Sequence, residues 1–263
     1  MPDAPVSSAS NPLVKRLRAL KRRGDDASCL LEGPKLVGEA LSAGIVLEAV
    51  VASPRFLAAP AGRALVAACA AAGLEVRRIE DRLLDALSEA EASQGVLALA
   101  RRPRFSEDAL FAGVPLVLVA VGVQNPGNVG ALLRSTEAAG GTGAYLADGC
   151  ADPFSWKALR GSMGSAFRLP HFRAASREAL GRLRSRGVRV VAADAGAGTS
   201  YDGLDWKRPT AVLVGNEGAG LPESIAADER VRIPMAGGAE SLNVAVAAAI
   251  LLFEAARQRR SMR

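Results

Sequence analysis

Aromatic side chains are scarce, at 4% of 263 residues, and there is one histidine, His171. The three cysteines, Cys29, Cys69 and Cys150, stand far apart and form no CxxC pair. This argues against a disulfide frame or a zinc site and suits a reducing compartment. No stretch reaches the roughly 20 uninterrupted apolar residues that a membrane span needs. The best run, LNVAVAAAILLF, is too short and is closed by Glu254 and a basic tail. The opening MPDAPVSSASNP has no apolar core of the kind a signal peptide carries. A cytoplasmic chain with no membrane partner is the expectation. Missing as well are a GxGxxG after the first strand of either half and any GxxxxGK[ST]. A Rossmann dinucleotide site and a P-loop are therefore unsupported, and no metal-ligand cluster is visible.

What is present is a globular composition, 49% apolar and 23% charged, with 27 glycines and a net charge of +6. The length fits one large domain or two small ones. The basic excess favours anionic partners such as nucleic acid without bearing on the fold. It is concentrated near the start. Asn11 and Pro12 suit a helix N-terminus, Leu13, Leu17 and Leu20 form an apolar stripe, and Gly24 ends the segment. Lys15, Arg16, Arg18, Lys21, Arg22 and Arg23 crowd the remaining surface, with no acid from 12 to 23. They are candidate RNA contacts, set against an ordinary solvated helix face.

Hydrophobic periodicity predicts strands at Leu30–Glu32, Leu47–Ser53, Glu75–Ile79 and Gly95–Ala100, with helices at Pro34–Ala43, 60–72 and 80–90. The polar, basic run Arg101-Arg102-Pro103-Arg104 precedes a change of composition, which places a domain boundary near 101–112. The second half opens on the apolar run Pro115–Val123, read as a strand buried on both faces. A helix from about Asn128 to Ala139, a strand at Ala144–Leu146 and helices at 156–165 and 176–186 follow. Strands at Val188–Ala193, Ala211–Gly215 and Arg230–Ile233 precede a last helix, Ser241–Arg257. Repeated βα units predict an α/β fold with a mostly parallel sheet.

Ligands of open α/β sheets bind beyond the carboxyl ends of the strands. Three loops belong there: QNPGNVG, GNEGAG and IPMAGGAESLN. In the first, Asn128 as a helix cap sets Arg134 nearly two turns into the helix, behind the small Gly130 and Ala131. In the second, Glu217 is a carboxylate among glycines at a strand end, poorly placed for packing and well placed for polar work. In the third, Ser241 is a plausible N-cap, Asn243 lies in the first helical turn, and Leu242, Val246, Ile250 and Phe253 form an apolar stripe. Each pattern has a plain structural alternative, a capped helix or a solvated turn.

Their order is more specific. N-x5-R, then LVGNEGAGLP, then IPM-x5-SLNVAVA resembles the three motifs of the SpoU/TrmH family of RNA ribose methyltransferases, within the SPOUT superfamily. The resemblance covers roughly 115–257, and the continuation LLFEAARQR is similar to members that methylate a guanosine 2′-hydroxyl of 23S rRNA. More loosely, NPLVKRLRALK…LLEGPKLVGEAL resembles the family's substrate-binding domain, which is similar to ribosomal protein L30e.

The resemblance implies an L30e-like RNA-binding domain over 1–104 and a methyltransferase domain over 112–263 with a C-terminal trefoil knot. Periodicity cannot show a knot, and base rates oppose one. It implies S-adenosylmethionine as cofactor, RNA as substrate and a homodimer. Asn128, Arg134, Glu217, Ser241 and Asn243 match the family's catalytic positions. Leu213, Gly215, Asn216, Gly218, Ile233, Met235, Ser241 and Leu242 fall where the cofactor is held, with Gly215, Ile233 and Leu242 using largely their backbones. A guanidinium keeps its proton in proteins, so the expected part for Arg134 is to hold a phosphate and polarise the hydroxyl, with Glu217 orienting it or accepting the proton. His171 lies outside all three motifs and is read as structural; Trp156 and Trp206 are read as core or rim. Arg257, Arg259, Arg260 and Arg263 are further candidates for the RNA backbone. A tRNA substrate, a catalytically silent ribosome-assembly factor and a nicotinamide-dependent enzyme are the rival readings.

Overall fold

The computed structural model describes residues 5–23, 25–90, 92–222, 225–238 and 240–260, and of Arg22 and Arg23 the backbone alone. Arg263 lies outside the described residues. The chain divides into two compact units, Met1–Arg104 with Phe154–Phe167, and Phe105–Pro153 with Arg168–Arg263.

In the first unit, α1 (Pro12–Arg23) begins where its sequence predicts, with Asn11 Oδ1 accepting from the Leu13 amide at 2.9 Å. Val14 and Leu17 bury its inner face. Next come β1 (Ser28–Glu32), α2 (Pro34–Ser42), β2 (Leu47–Ala52), α3 (Pro54–Ala58), α4 (Pro60–Ala71), β3 (Val76–Arg78), α5 (Asp81–Leu87) and β4 (Val96–Arg101). The sheet order is β1-β4-β2-β3, with β4 antiparallel to β1 and β2, and β2 parallel to β3. Leu30, Val51, Ile79, Leu84, Leu97 and Leu99 form its core with α1. The short α3 was not visible in the periodicity; Ser53 caps it through the Phe56 amide, and Pro54 starts it.

The second unit carries β5 (Leu116–Val121), α6 (Pro126–Ala138), β6 (Gly143–Ala147), β7 (His171–Ala174), α9 (Ser176–Ser185), β8 (Arg189–Ala193), β9 (Thr199–Ser200), β10 (Thr210–Val214), β11 (Glu229–Arg232) and α10 (Val244–Arg260). Between β6 and β7 lie α7 (Trp156–Ser162) and α8 (Ser165–Arg168). The continuous helix expected over 156–165 is broken, because Met163 (φ 49°) and Gly164 (φ 90°) take left-handed backbone. The two-residue β9 and four-residue β7 were too short to read from periodicity.

The seven strands lie in the order β7-β6-β5-β10-β8-β11-β9, and every pairing is parallel. From β5 the chain winds outward to β6 and β7, jumps to β8, and returns to insert β10 between β5 and β8. It then continues away from β5 to β11. The direction of winding therefore reverses between β5 and β10, and in open α/β sheets ligands bind at the carboxyl ends of such a switch point. β5, β6 and β10 are buried at every position, as strands covered on both faces require. One face packs Val117, Val119, Tyr145 and Leu213 against Leu180 and Leu183 of α9. Helices α6 and α10 pack against each other and against β5, β6 and β10.

Two helix starts differ from expectation. Helix α6 begins at Pro126 and its N-cap is Asn125, which accepts from the Gly127 amide at 2.8 Å; Asn128 is not the cap. Proline fits the first helical position because it lacks the N–H that would be unsatisfied there. Helix α10 begins at Val244, and Asn243 rather than Ser241 caps it, accepting from the Ala245 amide at 2.9 Å and the Val246 amide at 3.4 Å. The expected stripe on α10 is also not the buried one. Val244, Ala245, Ala248, Leu251, Leu252 and Ala255 face inward, whereas Val246 and Phe253 are 49% and 46% exposed. Small alanines let α10 sit close to its neighbours, so the bulkier residues were a misleading guide to its inner face.

Candidate active site

At the carboxyl ends of β5 and β10 the following loops grip each other. Asn216, two residues past β10, donates from Nδ2 to the Gly122 carbonyl at 2.8 Å, just past β5. Its Oδ1 accepts from the Gly218 amide at 2.9 Å and the Ala219 amide at 3.0 Å. Its backbone exchanges two hydrogen bonds with Gly220, at 3.0 and 2.9 Å. Gly215 is required beside this closure: a Cβ there would lie 2.3 Å from the Gly220 carbonyl oxygen. Asn216 thus shapes the GNEGAG turn, with its side-chain oxygen filled by two amides and one of its two amide hydrogens held on Gly122. Leu213 sits inside the strand that leads to this turn. It is fully buried among core residues and pairs with Val119 and Ala192 on both sides of its strand, which consumes its backbone.

The turn presents Glu217, exposed, with one oxygen accepting from Asn128 Nδ2 at 2.6 Å. Asn128 Oδ1 in turn accepts from Asn243 Nδ2 at 3.1 Å. Freed from capping, Asn128 projects from the first turn of α6 and joins the two other loops. The three motifs therefore meet in one directional series. Amides at the start of α10 donate to Asn243, Asn243 donates to Asn128, and Asn128 donates to the Glu217 carboxylate. Hydrogen-bond chains polarise their members in the same sense, and the last bond is charge-assisted.

Arg134 lies six residues beyond Asn128 on α6, about 9 Å along its axis at 1.5 Å per residue. It is exposed and has no hydrogen bond or ion pair among the described residues; Glu217 bonds Asn128, not Arg134. Ser241 is exposed, Ile233 and Leu242 are half-buried, and Met235 is 37% exposed. These apolar side chains and the exposed turn 217–220 offer a surface for a flat, largely apolar ligand. Glycine here serves close backbone approach rather than a phosphate cradle.

The remaining candidates sort themselves by partner. Arg16 bonds Glu48 at 2.5 Å, and Lys21 donates to the Ser88 carbonyl at 2.5 Å, so both help hold the first unit together. Lys15 and Arg18 have no partner among the described residues. Arg101 bonds Glu48 at 3.0 Å, and Arg102 stacks 4.9 Å from the Phe154 ring centroid. Arg16, Arg101, Arg102 and Arg104 share one groove of about 800 Å³ with Asp25, Asp26 and Glu48. Arg257 pairs with Glu254 at 2.7 Å. Arg259 donates to the carbonyls of Val114, Pro115, Trp206 and Arg208, which makes it a strut of the second unit. His171 is buried, with Nδ1 2.9 Å from the Leu169 carbonyl, and Trp206 is fully buried, donating to the Tyr201 carbonyl at 2.7 Å. Cys29, Cys69 and Cys150 are buried thiols. Among the described residues no cluster of metal-ligating side chains occurs, and no helix is long and apolar enough to cross a membrane.

Comparison with known proteins gives this arrangement its relatives. Residues 115–253 match the SpoU rRNA Methylase family, and residues 11–98 match the MRM3-like substrate binding domain. The chain is 35% identical to the 23S rRNA (guanosine(2553)-2′-O)-methyltransferase RlmP of Bacillus subtilis, over 94% of this chain and 97% of that one. Among solved structures it is similar to the AdoMet-bound rRNA methyltransferase from Sinorhizobium meliloti, with TM-score 0.83 and 34% identity over 97% of each chain. It is also similar to the SpoU methyltransferase AviRb from Streptomyces viridochromogenes in complex with AdoMet, with TM-score 0.85 and 30% identity over 96% of this chain and 100% of that one.

Proposed function

The chain belongs to the SpoU rRNA methylase family, and from that premise we propose that it transfers a methyl group from S-adenosylmethionine to a ribose 2′-hydroxyl of 23S rRNA. The observation that carries the reading is the series Asn243–Asn128–Glu217, which draws three separate segments to one carboxylate at the carboxyl ends of β5 and β10. Relatives that hold AdoMet over nearly their whole length in common with this chain support the cofactor. An rRNA target is favoured over tRNA because the curated relative RlmP acts on 23S rRNA and matches both units.

S-adenosylmethionine, when bound, supplies an electrophilic methyl group on a sulfonium. The chain's own residues supply position and proton handling. A ribose hydroxyl is a poor nucleophile until its proton is drawn off, and holding it in line with the methyl accounts for much of the rate. Glu217 keeps one oxygen on Asn128 and has the other for the hydroxyl proton or for Arg134. Asn128 and Asn243 act through Glu217, as positioning residues. Arg134, without a partner among the described residues, is available for a flanking phosphate. The cofactor is held by Gly215, Gly218, Ile233, Met235, Ser241 and Leu242, mainly through backbone and apolar contact.

We assign substrate binding to an L30e-like domain over 1–104 and catalysis to a knotted domain over 112–263, in line with the two matched ranges. A homodimer joined through the exposed stripe of α10 and a cytoplasmic location belong to the same reading. Its test is transfer of labelled methyl to purified 23S rRNA and to tRNA, with the modified nucleotide mapped. Label in a ribose of 23S rRNA alone is expected. Label only in tRNA overturns the target, and none in either leaves an RNA-binding assembly factor.

A further inference from the structure

The first unit contains a cavity that the methyl-transfer reading does not use. Helix α7 lies against β1, and with the start of α2 it encloses about 170 Å³. The apolar wall is Trp156, Leu36, Leu159 and Met163. The polar wall is Glu32, Lys35, Glu39, Gln94 and Arg160. A closed apolar cavity of about 150 Å³ takes a benzene ring. This one is open at its mouth, so it suits a single flat heterocycle whose sugar and phosphate stay at the rim. Lys35 and Arg160 are exposed there, and the Arg160 guanidinium lies 5.4 Å from the Trp156 ring centroid.

The polar wall narrows the choice of ring. Glu32 is 8% exposed, accepts from the Ser88 hydroxyl, and accepts from the Glu89 amide at 3.0 Å. An ionised carboxylate has about four acceptor positions, so two remain for further donors. A ring that satisfies them offers two adjacent N–H groups. Among the RNA bases only guanine does so on its pairing edge, through N1–H and the N2 amino group. Adenine and cytosine place a bare ring nitrogen beside their amino group, and uracil flanks its N–H with carbonyls. Guanine O6 and N7 are acceptors that suit Lys35, Arg160 and Gln94. Specific reading of RNA commonly stacks a splayed base on an aromatic ring and hydrogen-bonds its pairing edge.

We propose that this cavity takes an unpaired guanine base of the RNA substrate, stacked on Trp156 and read by Glu32. The inference rests on the proposed RNA substrate and deepens it, by naming a base that the first unit selects.

The chain's two tryptophans make the test direct. Trp206 is fully buried, so quenching by a short RNA reports on Trp156. The full-length protein is titrated with short oligouridylates carrying one central guanosine, inosine, adenosine or uridine. The guanosine probe is expected to quench and to bind about tenfold more tightly than the adenosine and uridine probes, the usual worth of a bidentate base contact. Inosine lacks the N2 amino group and is expected to lose most of that preference, a comparison that needs no protein variant. Glu32→Gln removes the preference while leaving oligouridylate binding unchanged, provided its melting temperature is retained. Equal affinity for all four probes, or a guanosine preference that inosine shares in full, overturns the proposal. Methyl transfer to 23S rRNA without a guanosine preference sinks the cavity and spares the enzyme. A guanosine preference without methyl transfer does the reverse.

Discussion

Asn243 donates to Asn128 across 3.1 Å while its own side-chain oxygen caps α10. One amide thus fixes the start of a helix and the partner of Glu217, and the two duties can be separated. Asn243→Asp keeps an acceptor for the Ala245 amide but loses the donor. Asn128 must then turn a donor toward residue 243 and its carbonyl toward Glu217. Melting temperature should stay near wild type, with methyl transfer down by roughly 10- to 100-fold from misplacement. Asn243→Ala should lose the same activity and also about 1 kcal/mol of stability, the usual cost of an N-cap. Initial rates with thermal melts check this. An Asp variant with full activity would show that the Asn243–Asn128 bond has no part in catalysis.

Arg134 has the opposite character, with an exposed guanidinium that bonds nothing among the described residues. Its removal leaves no structural debt. Arg134→Ala should melt within about 0.5 kcal/mol of the parent, as surface substitutions away from special features do, and should bind S-adenosylmethionine unchanged. Its turnover on rRNA should fall by about a hundredfold or more, the scale of losing a preorganised charge at the reacting centre. Calorimetry of cofactor binding beside single-turnover rates separates these effects. Undiminished turnover removes Arg134 from the mechanism.

Much of this was legible in the residues. Continuous apolar runs gave β5 and β10, and motif order brought Asn128, Glu217 and Asn243 together before any geometry did. What failed shares a cause. Capping depends on which of several neighbouring polar residues reaches the helix amides, and in Asn125–Asn128 and Ser241–Asn243 the plausible choice was the wrong one. The inner face of α10 was misjudged because burial there goes to alanines, which periodicity of large residues overlooks. The pairing of Arg16 with Glu48 and of Arg259 with four carbonyls spans the fold, and no local pattern announces it.

The second unit also carries an acid-sensitive bond. Tyr145 donates to Glu107 at 2.7 Å, and Arg182 bonds the same carboxylate. The Tyr145 hydroxyl first, then Arg182, holds the Glu107 carboxyl below the ordinary carboxylate range, against partial burial. Burial, then the bond to Glu107, pushes the Tyr145 phenol up. A carboxyl whose folded pKa is depressed contributes stability above its unfolded value, about 4.3, and loses it as pH falls through the folded value. Tyr145→Phe should therefore melt below wild type at pH 7, and the gap should narrow as pH drops below about 4. A gap that stays constant from neutral to acid pH would mean Glu107 is not the group involved.

The outward stripe of α10 decides the last question, whether the chain works alone. Val246, Ile250 and Phe253 recur at i, i+4 and i+7, and Val246 and Phe253 are half exposed. A large apolar side chain in water costs stability that a partner surface would recover, and subunit interfaces are enriched in such residues. A carboxylate there costs a lone chain little, because the position is already wet. At a buried interface it leaves a charge without a partner. Val246→Glu with Phe253→Glu should thus retain the melting profile of a folded chain while light scattering falls from a dimer to a monomer mass. If the wild-type protein already scatters as a monomer at tens of micromolar, the stripe has another occupant and the dimer reading is lost.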